Sequence, residues 1–231
     1  GSNILTTLIN LSSCNNVYTI SRRPPPQSPN GKKNEEDNDK INSVKLNSTV
    51  SGDLTEWPTL LSHISPTPEI LFSSLGTSRA RAGSIEAQRK IDYDLNLSVA
   101  TSARTAGVKV YVLVSSIGAN ASSPFPYLQM KGQLEEAVKK LGFDSLVILR
   151  PGLLLGDREE GRMFEWAART FTGGLRYITG NFVTDHFAQD ATIVAQAAVS
   201  AGLRALESEP GTVSILGQPD IVKLGRTEWK P

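Results

Sequence analysis

The chain has 231 residues, 39% hydrophobic and 20% charged, enough to bury a sizeable core in one domain. Its 24 Lys and Arg against 23 Asp and Glu leave a net charge of +1, which offers no electrostatic footprint for nucleic acid or for an acidic membrane surface. A single cysteine, Cys14, and two histidines, His63 and His186, exclude an internal disulfide framework and provide no zinc-site spacing, which fits a reducing, cytosol-facing environment.

In chain order, the pattern predicts a helix over residues 4–11, strands over 17–21 and 43–46, a helix over 57–64 and a strand over 70–74. A long helix over 84–106, a strand over 108–115, a helix over 127–141 and a strand over 145–149 follow. Helices over 163–171 and 190–206 and a strand over 212–216 complete the series. Short β-branched runs alternating with helical patterns predict an α/β fold with βαβ units around a parallel sheet. In the helix 127–141, Leu128, Leu134, Val138 and Leu141 recur near helical spacing, which predicts a sheet-packed face and leaves Glu135, Lys139 and Lys140 for the wet face. The segment "PPPQSPNGKKNEEDNDK", 24–40, has no aliphatic or aromatic residue, so a flexible surface loop is expected over 24–42 within a single domain, 1–231. The longest apolar runs, near 108–114 and 146–155, fall short of the roughly 20 residues that span a bilayer. The Asn-x-Ser/Thr triplets at Asn10, Asn47, Asn96 and Asn120 follow no signal peptide and read as chance.

The chain opens on a helix, "GSNILTTLINLSS", whereas a doubly wound parallel sheet begins with a buried strand and a Gly-rich turn that holds a pyrophosphate. Gly1 and Ser2 read either as a remnant of cloning or, as the phasing of Ile4, Leu5 and Leu8 favours, with Gly1 as the last glycine of such a turn. A chain starting here is expected to leave strands 17–21 and 70–74 facing each other across an unfilled slot. It is also expected to be marginally stable and to bind dinucleotide weakly or not at all.

The stretch "SSIGANASSPFPYLQMKG", residues 115–132, carries the chemistry. Ser115 and Ser116 are expected at the C-terminal end of a buried strand, where ligands bind in open α/β sheets. Tyr127 opens the following helix and Lys131 lies four residues on, on the same face. An ammonium fixed beside a phenol favours its ionised form, which makes tyrosine a usable proton donor and acceptor. A Tyr with Lys four positions later is common by chance, and a Ser pair at a strand end most often just satisfies loop backbone. The joint placement of Ser116, Tyr127 and Lys131 is what points to a site.

Longer blocks carry a resemblance: "SRR" at 21–23, "SLGTSRARAG" at 74–83, "IDYDLNL" at 91–97, "SSIGA", "YLQMKG", "FDSLVILRPGLLLGDREEGR" at 143–162 and "EW" at 165–166. In these the chain resembles the atypical group of short-chain dehydrogenases/reductases, in the branch of the HIV Tat-interactive-protein oxidoreductase and its fungal mitochondrial outer-membrane relatives. The resemblance implies a Rossmann-like doubly wound parallel sheet, here without its first strand and Gly-rich loop. It also implies Ser116, Tyr127 and Lys131 as the catalytic set, a nicotinamide hydride donor and a small carbonyl or alcohol substrate. Peripheral attachment to the mitochondrial outer membrane, facing the cytosol, is implied in the same way.

Where an acidic residue at the end of the second strand would bind a ribose hydroxyl and favour NAD, this chain has Arg22 and Arg23, whose forks suit the 2′-phosphate of NADP(H). The plain alternative is two solvated loop arginines. Leu75 and Gly76 are implied as adenosine or ribose contacts, Gly76 also permitting close backbone approach. By resemblance Leu154 and Arg162 face the nicotinamide half and the phosphates. Pro151 and Gly152 are cofactor contacts on this reading and a simple turn otherwise. Tyr127, Lys131 and Gly1 complete the expected cofactor set, with no metal. Trp57, Trp166 and Trp229 read as packing, Asp185 and His186 as a solvated pair or substrate-side residues, and Cys14 as a small core residue. Two functions follow: an NADPH-dependent reductase, or a non-catalytic nucleotide-sensing or protein-interaction member of the same superfamily.

Overall fold

The computed structural model describes residues 1–25, 45–155 and 188–230. The loop expected over 24–42 lies, from residue 26 on, outside the described residues. So do the helix expected over 163–171, Arg162, Trp166, Asp185, His186 and the side chain of Leu154.

Valine- and isoleucine-rich runs build the centre. Strands β3 (Ile70–Ser73), β4 (Val110–Val114), β5 (Ser145–Leu149) and β8 (Thr212–Leu216) form a parallel four-stranded sheet in the order β3-β4-β5-β8. Val112 pairs with Phe72 on one side and Val147 on the other, and Val147 with Ser214. β5 is buried along its whole length, as a parallel strand covered on both faces must be. β1 (Asn16–Ser21) and β2 (Lys45–Val50) form a second parallel ladder, and β6 (Leu153–Leu155) with β7 (Ala188–Asp190) a third. Among the described residues β1 and β3 share no ladder.

Period-two alternation sorts the side chains. Val110, Val112, Val147 and Leu149 face α1 (Ser2–Ile9) and α7 (Ala191–Ala205). Tyr111, Leu113, Leu146 and Ile148 face α2 (Trp57–Ser62), α5 (Asn96–Thr105) and α6 (Pro126–Lys139). Shorter helices are α3 (Arg79–Ala82), α4 (Ile85–Arg89) and α8 (Gln218–Val222).

Three expectations need correction. The helix expected over 84–106 is α4, a π-helical segment Lys90–Leu95 and α5 in succession, because one extra residue per turn rotates Asp92 and Asn96 inward. Glu135, expected on the wet face, is 1% exposed, since it has cationic and hydroxyl partners at the strand ends. The strand expected over 43–46 runs instead to Val50, because pairing of Ser48–Val50 with Thr19–Ser21 outweighs the weak strand preference of Asn47 and Ser48. Helices α3 and α8 and the β6–β7 ladder had no clear period in the sequence.

Candidate functional site

The loop after β3 turns over a buried amide. Asn96, fully buried, accepts from Ser73 Oγ at 2.7 Å through Oδ1, and its Nδ2 donates to the carbonyls of Leu75, Ile91 and Asp92 at 3.2–3.3 Å. One side chain thereby fixes the strand end, the loop and the π-helical segment together. Asp92, one turn earlier, accepts from the Thr77 N–H at 2.7 Å, so the backbone at Gly76 and Thr77 is held against it. Sequence reasoning missed both Asp92 and Asn96. The only signal was a run, "IDYDLNL", too polar for the buried side of an ordinary helix.

Lys131 meets Asp92 from the opposite side. Its Nζ lies 3.7 Å from Asp92 Oδ1, with both side chains at least 95% buried. At that separation they form an ion pair rather than a hydrogen bond. Burial is the larger influence on Asp92 and raises its carboxyl above the usual range, against the opposing pull of Lys131 and the Thr77 N–H. Gly76 lies against the pair: a Cβ there would stand 3.3 Å from Asp92 Oδ1 and 3.9 Å from Lys131 Nζ, so the bare Cα lets the backbone pass close to it.

Tyr127 sits in the first turn of α6 behind Pro126, half-buried, one helical turn before Lys131. Ser115 and Ser116 emerge from β4 together but are used differently. Ser115 is buried and its hydroxyl donates to Glu135 Oε1 at 2.5 Å, whereas the hydroxyl of the half-buried Ser116 makes, among the described residues, a long 3.3 Å contact to the Ile117 carbonyl. Glu135 also accepts from Arg150 Nε at 3.1 Å and Nη2 at 2.5 Å, and this bond holds the Arg150 guanidinium above its ordinary value. The Ser loop crosses α6 at Gly132, where a Cβ would fall 2.2 Å from the Ala121 nitrogen. Only glycine admits that crossing.

The other expected residues are placed less tightly. Arg22 and Arg23 are exposed just beyond β1, and Ser21 Oγ donates to the Arg23 carbonyl at 2.7 Å. Leu75 packs on the α5/α6 core, and Pro151 is buried with its carbonyl accepting from the Ile117 N–H at 2.8 Å. Gly152 is half-buried, and Leu154 lies on β6 opposite Gln189. Gly1 caps α1, where a Cβ would press on Ser74 Oγ at 3.1 Å. Trp57 and Trp229 pack in the two cores. A groove between α2 and α5, lined by Pro58, Leu97, Ser98 and Thr101, shares no residue with this site. Among the described residues no group of three or more His, Cys, Asp or Glu is placed to hold a metal. Nor is any described helix long and apolar enough to cross a membrane.

Comparison with solved structures agrees with this architecture. The chain is similar to MoeE5 in complex with UDP-glucose and NAD (TM-score 0.62, 16% identity, covering 99% of this chain and 78% of that one). It is also similar to a short chain dehydrogenase family protein from Francisella tularensis (TM-score 0.61, 12% identity, covering 94% and 92%). Both likenesses establish the fold. In sequence, the chain is 46% identical over 230 residues to the protein fmp52-1, mitochondrial, of Aspergillus terreus, covering 98% of this chain and 94% of that protein. It is 43% identical over 238 residues to fmp-52, mitochondrial, of Neurospora crassa, covering 100% and 92%. The HIM1 family model matches residues 36–177. With a family model over more than half its length and relatives of this identity matched almost end to end, the chain belongs to the HIM1 family, among the fmp52 proteins.

Proposed function

We propose that the chain is an NADPH-dependent oxidoreductase of the short-chain dehydrogenase/reductase type, acting on a small carbonyl or alcohol through Ser116, Tyr127 and Lys131. The observation that carries this reading is the Lys131–Asp92 pair, buried at the C-terminal end of a parallel sheet one turn from a tyrosine. An ion pair costs desolvation there and is weak evidence for stability, so its value lies in holding a charge in place.

When bound, NADPH supplies the hydride that adds to the carbonyl carbon. Gly76 suits such a ligand, because it is exposed and its bare Cα presents backbone without a side chain beside Asp92 and Lys131. The Ser116 hydroxyl donates to the carbonyl oxygen, and Tyr127 passes its phenolic proton to that oxygen, so that C=O becomes C–OH. Lys131 stabilises the phenolate left behind, while Asp92 fixes the ammonium. The exposed Arg22 and Arg23 at the end of β1 suit a 2′-phosphate and so favour NADPH over NADH. The remaining cofactor contacts of the reading are Gly1, Leu75, Pro151, Gly152, Leu154 and Arg162, within one domain spanning 1–231. Kinship with the HIV Tat-interactive-protein oxidoreductase, and peripheral attachment to the mitochondrial outer membrane, belong to the same proposal. The relatives' mitochondrial names support the organelle.

The test is NADPH oxidation by the full-length protein with phenanthrenequinone as carbonyl probe, beside NADPH binding by fluorescence. Tyr127→Phe is expected to lower kcat by roughly 10²- to 10⁴-fold while NADPH still binds. Turnover that survives Tyr127→Phe overturns the assignment. The competing reading is a non-catalytic, nucleotide-sensing or protein-interaction role on the same fold, and binding without turnover would decide for it.

A further inference from the structure

Helix α6 carries ionisable side chains at intervals of four residues, Tyr127, Lys131 and Glu135, and that spacing sets them in one stripe along the helix. The last two are buried, at 4% and 1% exposure, and they are held from opposite sides by charges of opposite sign. Lys131 faces Asp92 on the π-helical segment, whereas Glu135 faces Arg150 at the end of β5. The carboxylate of Glu135 takes the guanidinium fork on both oxygens and the Ser115 hydroxyl on one of them. A forked contact fixes angle as well as distance.

The strand ends that Glu135 gathers are also tied to one another. The Ser115 N–H donates to the Leu149 carbonyl at 2.8 Å, and the Ile117 N–H to the Pro151 carbonyl at 2.8 Å. Ser116 therefore stands between two anchored neighbours. A hydrophobic pair of equal volume would hold α6 on the sheet as well as an ion pair does, because burying two charges costs their hydration. What apolar packing cannot supply is register. Sliding α6 by one turn, about 5.4 Å, toward Arg150 would bring Lys131 against that guanidinium in place of Glu135, setting like charges together.

We infer that Glu135 and Arg150 are positioning residues that clamp the Ser116 loop to the Tyr127–Lys131 helix and so fix the distance between the two hydroxyls. The functional part of this inference rests on the reading of Ser116, Tyr127 and Lys131 as a proton-transfer site. The clamp itself is a statement about the structure and is read separately.

Three variants test it: Glu135→Gln keeps the shape and loses the charge, Arg150→Lys keeps the charge and loses the fork, and Glu135→Leu/Arg150→Met removes the pair and refills its volume. Hydrogen exchange at the Ile117 amide reads the clamp without catalysis, and all three variants should speed it roughly tenfold while the middle of α6 stays protected. NADPH oxidation with phenanthrenequinone should show kcat reduced by roughly 10- to 100-fold and KM for NADPH within about twofold of the native value. The double variant, which also takes the acceptor from the Ser115 hydroxyl, should still unfold in one cooperative urea transition and still be slow per folded molecule, which a merely structural pair would not produce. Native exchange and native kcat in a folded double variant overturn the inference. Faster exchange in the variants, with no turnover even by the native protein, upholds the clamp and overturns the reductase reading instead.

Discussion

The two faces of the four-stranded sheet are covered by helices in the same way and contain different chemistry. On the α1/α7 face, Val110, Val112, Val147 and Leu149 meet Val194, Ala197, Ala198 and Val199, and Gly202 brings α7 so close that a Cβ there would stand 3.0 Å from the Phe72 ring. None of the charged side chains buried among the described residues lies on this face. The α5/α6 face has an apolar cluster of its own, and on that side Asp92, Lys131 and Glu135, each at most 4% exposed, are buried with Ser73, Asn96 and Ser115. Apolar side chains would satisfy the second face more cheaply, so the charges mark where the molecule gives up stability for geometry. Substitutions on the first face should therefore change stability alone, and those on the second should change stability and chemistry separately.

The sharpest contrast is between two glycines. Gly132→Ala drives a Cβ into the backbone at Asn120 and Ala121, so the Ser loop must move, and kcat per folded molecule should fall roughly 100-fold. Gly202→Ala meets only side chains at 3.0–3.1 Å, and should cost about 1–3 kcal/mol in urea denaturation with unchanged kcat. Equal effects on kcat would erase the distinction between the faces.

Lys131→Met leaves the Asp92 carboxylate buried without its counter-charge and should destabilise by about 3 kcal/mol. Asp92→Asn, which removes a carboxylate whose burial outweighs its pairing, should cost far less, and Asp92→Asn/Lys131→Met should recover most of the Lys131→Met loss. The pH dependence has a definite sign. The Asp92 carboxyl titrates higher folded than unfolded, so its contribution is fully present below the unfolded carboxylate range and is lost as pH rises through the raised value. Denaturation midpoints from pH about 3 to 7 should show this limb in the native protein and not in Asp92→Asn.

A smaller effect concerns Tyr111, which is fully buried on the charged face and stacked on Phe143 at 4.9 Å. Its hydroxyl, beside Ser73, has no hydrogen-bond partner among the described residues, and burial pushes it up to about 12. The stabilisation this implies is present below the ordinary tyrosine value and disappears as pH rises through the raised one, a loss on the order of a few kcal/mol. Tyr111→Phe should leave neutral-pH stability within about 1 kcal/mol of the native value and flatten the alkaline limb, as followed by phenolate absorbance and circular dichroism.

Where chain period dominates, the sequence reading and the structure coincide: β5 and β8 fall on the expected residues, and α7 within one residue at each end. β5 is a short, wholly buried and largely apolar run, and β8, at the end of the four-stranded order, is a β-branched run set between Gly211 and Gly217; such runs have few alternatives. The buried charges were not legible, because nothing local distinguishes Glu135 from a solvated helical glutamate. Its burial is decided by Arg150 and Ser115, 15 and 20 residues away. The π-helical segment was hidden for the same reason, since residues 84–106 satisfy a helical period whether or not the helix widens at Asp92. The placement of Ser116, Tyr127 and Lys131 at one strand end and one helix start was readable, because strand, loop and helix are consecutive in the chain.

The most direct measurement of the central claim is calorimetric titration of the full-length protein with NADPH and with NADH, repeated for Arg22→Ala/Arg23→Ala. A charge-assisted contact to the 2′-phosphate contributes about 1.5–3 kcal/mol, so NADPH should bind at least roughly tenfold more tightly than NADH, and the double variant should lose that advantage. Equal affinity for the two dinucleotides, or binding of neither, would contradict the account.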